Sequence, residues 1–93
     1  MQIVWTADAL NDLQDIRDYI RTENPKAANK VAWLILEGAK SLRTQPHRGR
    51  HGALPDTREL ILTKIPYRIV YRVKMQQVQI LKVFHHRQDE WKQ

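Results

Sequence analysis

One dipeptide, Asn24-Pro25, divides the first half of this chain and decides much of what it can become. Proline disfavours helical geometry in the residue before it, so a helix arriving at Asn24 must stop there. The same pair is a strong start signal. Asn24 can cap a new helix, and Pro25 fits its first position, where no N–H is needed. Apolar residues recur at helical spacing on both sides. Ala9, Leu10, Leu13, Ile16 and Ile20 precede the break, and Ala28, Val31, Ile35, Ala39 and Leu42 follow it, with Leu34 beside them. Asp12, Asp15, Arg17, Asp18 and Arg21 fill the opposite surface of the first segment. Thr6 is a good cap for that segment, and Asp8 complements the positive end of its dipole. The expectation is a helix from about Ala7 to Glu23 and a second to about Arg43. Two long helices joined by so short a link return antiparallel.

The rest of the chain changes period. Gln2-Ile3-Val4-Trp5 reads as a short strand ahead of the helices. Residues 57–62, 66–73 and 78–84 are short runs rich in Val, Ile, Leu and Tyr, joined by short links, and they predict a meander. Between helices and strands lies one long irregular stretch, Gln45 to Asp56, with two Pro, two Gly, two Arg and two His. A loop of that length is either functional or a mobile connector. The whole is a single domain, 1–93, of α+β class. It has an N-terminal strand, an antiparallel two-helix hairpin and a three-stranded antiparallel meander, with the helices packed on one face of the sheet.

Alternation assigns the strand faces. Tyr67, Ile69, Tyr71 and Val73 share one face, which Leu81 and Val83 can join as core. Arg68, Val70, Arg72 and Lys74 share the other, with Ile80, Lys82, Phe84 and His86. That second face mixes cations with large apolar residues. Such a surface should not stay bare, and a partly apolar, anionic partner is expected to cover it. Arg68, Arg72, Lys82, Val70 and Phe84 are the candidate contacts.

Charge points the same way. Residues 1–42 hold five Lys/Arg and six Asp/Glu, a sum of −1. Residues 43–93 hold eleven and four, a sum of +7, together with all four histidines. A basic surface confined to one half implies an anionic partner: nucleic acid, an acidic protein segment, or both. The absence of cysteine excludes disulfides, thiolate metal sites and a catalytic cysteine, and fits a reducing cytosol. No apolar run reaches the roughly 18–20 residues of a membrane helix, and no signal peptide is visible at the N-terminus. A cytoplasmic protein without membrane contact is expected.

The sequence carries no nucleophile elbow, no Gly-rich phosphate loop and no paired carboxylates. Neither a metal site nor a cofactor is expected. What remains is a cationic set: Arg68, Arg72, Lys82, His86 and Arg87, with His85 and Trp91 near them in sequence. Metal-independent cleavage of RNA needs a base for the 2′-hydroxyl proton and cations for the charge on phosphorus. Histidine suits the first task and arginine the second. Trp91 could stack on a base. Each residue also has a plainer reading. Arg68 and Arg72 can serve only to bind a partner, His85 can be a hydrogen-bonded core residue, and Trp91 can cap the core.

Taken in order, these pieces resemble the RelE/ParE superfamily of toxins, on its ParE side. The resemblance rests on Trp5-Thr6…Ala9…Asp12-Leu13…Ile16…Tyr19-Ile20, on Asn24-Pro25-Lys26-Ala27-Ala28, and on Leu42…Pro46…Gly49-Arg50…Gly52. It continues through Thr57-Arg58-Glu59-Leu60 and Tyr67-Arg68-Ile69-Val70-Tyr71-Arg72-Val73 to Ile80-Leu81…Val83…His85…Gln88…Trp91. It implies the toxin of a type II toxin–antitoxin module, of the plasmid stabilisation kind, neutralised by a cognate antitoxin in a hetero-oligomer. Two targets divide the superfamily. ParE-like members poison DNA gyrase. RelE-like members cut mRNA on the ribosome, and Arg68 and Arg87, with His85 and His86, would then be the catalytic residues. The sequence lacks the lysine pair of the nucleases before the strands, and its helical hairpin is long. The resemblance therefore leans to gyrase inhibition, with the mRNA interferase as the alternative. A non-toxic nucleic-acid-binding module is a third reading, carried by charge alone.

Overall fold

In a computed structural model, which describes residues 1–87, each cap expected from the sequence is made. Strand β1 (Gln2–Trp5) ends at Thr6, whose hydroxyl oxygen accepts from the Ala9 N–H at 3.2 Å and opens helix α1 (Ala7–Arg21). The same hydroxyl donates to the Ile80 carbonyl at 2.8 Å, so the cap also fastens the helix to the sheet. Asn24 accepts from the Ala27 N–H at 3.1 Å, and Pro25 begins helix α2 (Pro25–Ser41). Caps of this kind are worth about 0.5–2 kcal/mol each. Both helices stop two residues short of the expected ends.

Four more strands follow: β2 (Arg50–His51), β3 (Arg58–Ile61), β4 (Tyr67–Lys74) and β5 (Gln77–His85). The sheet order is β1-β5-β4-β3-β2. β3, β4 and β5 form the expected antiparallel meander. The sheet as a whole is mixed, because β1 pairs with β5 in parallel. The chain can place β1 there because the helical hairpin is the crossover that parallel neighbours require. Strand β2, inside the stretch expected to be irregular, pairs Arg50 with Glu59 and His51 with Arg58. Two residues are too few to show an alternation.

The helices supply Ala9, Ile35, Ala39 and Leu42 to a core whose sheet side is Leu60, Tyr67, Ile69, Tyr71, Val78, Ile80 and Val83. Leu10, counted in the apolar stripe of α1, is half exposed. Ile80 was expected on the opposite face and is instead fully buried in this core, while Leu81 is only half-buried. The reason is a bulge. Val70 pairs with Lys82 but Tyr71 pairs with Ile80, so Leu81 is an extra residue on β5. A bulge resets the side-chain alternation, and Ile80 and Val83 both face the helices although they are three positions apart.

The 45–56 stretch is fastened at many points. The Tyr71 hydroxyl donates to the Pro46 carbonyl and accepts from the Gly49 N–H, both at 2.8 Å. Arg58 donates to the carbonyls of His47 and Gly49. Gly49 is needed there, since a Cβ would lie 2.8 Å from the Tyr71 ring and 3.0 Å from the backbone of Glu59. The stretch is anchored to the sheet and is not a loose connector.

Candidate functional site

The sheet face turned away from the helices gathers Glu59 from β3, Arg68, Val70 and Arg72 from β4, and Lys82 and Phe84 from β5. Alternation within each strand and the register between them place these residues together. This is the mixed face that was expected to need a partner's cover, and part of it is already covered within the chain. Arg68, Val70 and Phe84 are buried, at 6%, 0% and 6% exposure. Arg68 lies with its guanidinium 4.3 Å from the centre of the Phe84 ring, a cation–π contact. Its Nε is 3.5 Å from a Glu59 carboxylate oxygen, and Glu59 is itself buried. Glu59 thus supplies Arg68 with an anion from within the chain.

Glu59 does more than neutralise Arg68. It accepts from the Ala53 N–H at 3.3 Å and lies 3.6 Å from Arg50. It ties the 50–56 segment to the sheet. Sequence reading passed over it because residues 59 and 68 meet only through the β3–β4 register.

Lys82 is paired too. Its ammonium is 3.2 Å from Asp12 on α1, and the other oxygen of Asp12 accepts from the Val83 N–H at 3.0 Å. β1 runs alongside β5 only as far as Ile80, so the N–H of Val83 lies beyond the end of that ladder. Asp12 fills the place a longer β1 would take. In the sequence it reads as one of several surface carboxylates. The one available sign was that β1 is shorter than β5. Arg72 donates through Nε to Gln79 at 2.6 Å and stays half-exposed.

The residues proposed for RNA cleavage are divided between the two faces of the sheet, with the His85 and His86 ring centroids 6.4 Å apart. His85 pairs with Tyr67 on the helix side and stands edge-on to its ring at 5.3 Å. There it lines an open cleft of 360 Å³ with Asp15, Ile16, Tyr19 and Tyr67. Burial, and secondarily the nearby Tyr19, push the Tyr67 hydroxyl above the ordinary phenol value. Arg68 belongs to the opposite face. The His86 ring is 2.9 Å from the Tyr67 carbonyl, where Nε2 can only donate, and His86 meets Arg68 through its backbone carbonyl at 3.4 Å. Arg87 is exposed, and its N–H donates to the His85 ring. Trp91, the candidate for base stacking, lies outside the described residues. Among the described residues no three His, Asp or Glu side chains gather as a metal would require, and no helix is long and apolar enough to cross a membrane.

The family described as "ParE toxin of type II toxin-antitoxin system, parDE" matches residues 3–90. The Y4kP protein of Sinorhizobium fredii is 41% identical over 92 residues, spanning 99% of this chain and 94% of its own. Toxin RelE2 of Caulobacter vibrioides is 43% identical over 84 residues, spanning 90% and 93%. Among solved structures, a chain of the chromosomal ParDE system of P. aeruginosa superposes with a TM-score of 0.85 at 32% identity, covering 91% of this chain and 95% of that one.

Proposed function

The chain belongs to the ParE toxin family of type II toxin–antitoxin systems, within the RelE/ParE superfamily, and from that we propose that it arrests growth by poisoning DNA gyrase. The observation that carries this choice over RNA cleavage is the fate of Arg68. It is buried against Glu59 and Phe84, and His85 lies on the other side of the sheet. A phosphoryl transition state needs its cations and its base around one reacting atom, within hydrogen-bond reach. With Arg68 buried on one face and His85 on the other, the gyrase reading has the better support.

We further propose that a cognate antitoxin holds the toxin inactive. The P. aeruginosa relative comes from a toxin–antitoxin system, which supports this reading. Arg68, Val70 and Phe84 are buried in the chain's own fold. The antitoxin's acidic contact on the sheet face therefore falls to Arg72 and Lys82, which remain partly exposed.

The test is a cleavage-complex assay with purified toxin, gyrase, ATP and supercoiled plasmid. Toxin-dependent linear DNA after detergent and protease is expected, and it should vanish when the antitoxin is added first. Intact plasmid together with toxin-dependent cuts in translated mRNA, lost in Arg68→Ala, would replace this reading with the endonuclease.

A further inference from the structure

At the end of the sheet away from Arg68, the anchored 47–56 segment, the start of β3 and the end of β4 enclose a half-open cleft of 470 Å³. Its lining includes Arg58, Arg72 and Lys74, with His47 and His51 and one carboxylate, Asp56. With both histidines neutral, three cations against one anion leave a charge of +2. We propose that this cleft is a binding site for phosphate groups of a nucleic-acid backbone. The inference goes beyond the gyrase reading and does not depend on it.

Three features carry it. The first is availability. Lys74, His47 and His51 are exposed, and among the described residues their side chains take no polar partner. Arg72 spends only Nε, on Gln79, which leaves both terminal amino groups for a ligand and fixes the plane of the guanidinium. A guanidinium held this way suits two oxygens of one phosphate, and an ammonium and imidazole N–H groups add further donors.

The second is preorganisation. His47 and His51 stand on a segment held by Arg58, by the Tyr71 hydroxyl and by the short β2–β3 ladder. A ligand does not have to order it.

The third is the kind of partner. A docked peptide draws most of its affinity from apolar anchors in pockets. Among the described residues lining this cleft, Val73 is the only large apolar one. A small free phosphate compound is better served by an enclosing pocket, whereas an open-sided groove suits a chain that passes through. Phosphate contacts of this kind position a protein on nucleic acid without reading sequence.

The experiment is fluorescence anisotropy of a labelled 20-base-pair duplex with the purified full-length protein, from 50 to 200 mM salt. Each phosphate contact contributes roughly 3.5-fold to the loss of affinity over that range, so two contribute about tenfold. Arg72→Gln combined with Lys74→Gln should weaken binding about tenfold at 150 mM salt and flatten the salt dependence by about two charges. Lys26→Gln with Lys30→Gln on α2 changes net charge equally and should stay within twofold of wild type. If Arg72→Gln disturbs the fold, His51→Gln with Lys74→Gln replaces it, since neither side chain has an intramolecular polar partner among the described residues. Single-stranded RNA of equal length, run in parallel, tells which backbone is preferred. Equal losses for the cleft and helix variants, or no loss for either, would overturn the proposal in favour of diffuse charge. Tighter binding of a glutamate-rich peptide of equal charge, lost in His51→Gln with Lys74→Gln, neither of which belongs to the proposed antitoxin contact, would overturn it in favour of an acidic protein partner.

Discussion

Two sets of cations lie along β4 and its neighbours, and the protein treats them in opposite ways. Arg68 is buried beside Glu59 and over Phe84. Arg72 and Lys74, four and six residues further on, line an open cleft with His47, His51 and Arg58. In sequence the two sets look alike, as alternate residues of one strand. The difference lies in what crosses from β3. Glu59 stands across from Val70 and reaches Arg68, while the strand partner of Arg72 on its other side is Gln79, which takes only one of its N–H groups. Position in a charge-rich strand therefore says little about function. The partner that register brings decides whether a cation builds the fold or remains free to bind.

The sharpest way to break this comparison is to remove the buried anion. Glu59→Ala strips Arg68 of the carboxylate 3.5 Å away and releases the Ala53 N–H. Loss of one partner from a buried pair costs about 3–5 kcal/mol, and urea unfolding should show it. Replacing both members, Glu59→Leu with Arg68→Met, should recover most of that loss, because apolar residues of similar volume commonly match a buried pair. If Glu59→Ala unfolds like the wild type, Arg68 is not held by Glu59 and the contrast with Arg72 fails.

Lys82 stands between the two cases, and Asp12 is where to test it. Asp12→Ala removes an acceptor from both the Lys82 ammonium and the Val83 N–H. A charge-assisted bond to a backbone N–H is worth about 1.5–3 kcal/mol, whereas a partly exposed ion pair is worth about 0–1 kcal/mol. Asp12→Ala should therefore cost about 2 kcal/mol and Lys82→Ala well under 1 kcal/mol. Equal losses would mean that the ion pair, not the edge of β5, is what Asp12 secures.

How much of this the sequence carried depends on the range of the interaction. The helices were readable because their signals are local: Thr6 acts three residues away on Ala9, and Asn24 three away on Ala27. The meander was readable because β3, β4 and β5 are consecutive and closely linked. The parallel seat of β1 was not, since nothing in Gln2–Trp5 states which strand it will join. Nor was the Leu81 bulge, which moved Ile80 into the core. One extra residue in a run of Val, Ile and Leu leaves no mark in composition. The same gap misplaced the candidate site. Arg68, Val70 and Phe84 were rightly set on one face, but their cover was expected from a partner and not from the chain itself. Glu59, on the preceding strand, and Asp12, on a helix 70 residues away from Lys82, enter only through tertiary register.

The open cleft has its own point of weakness, and it tests the comparison from the other side. The Tyr71 hydroxyl joins the core to the 46–49 segment by two hydrogen bonds. Burial raises its pKa above the ordinary phenol value, and this outweighs the lowering by the Gly49 N–H, Arg58 and Arg48. The folded state thus favours the neutral phenol. Its contribution is fully present below the unfolded phenol value of about 10 and is lost as pH rises through the higher folded one. Tyr71→Phe should cost about 1–2 kcal/mol at neutral pH, as the Pro46 carbonyl and Gly49 N–H lose a partner. Above pH 10 its stability should fall less steeply than that of wild type, which thermal unfolding from pH 8 to 11 would record. The variant should also loosen the segment carrying His47 and His51 while leaving the Glu59–Arg68 pair in place. Duplex binding at neutral pH should then weaken severalfold with an unchanged salt slope, because no cation has been removed. If binding is untouched while stability falls, the histidines contribute nothing to the cleft, and its phosphate contacts reduce to Arg72 and Lys74.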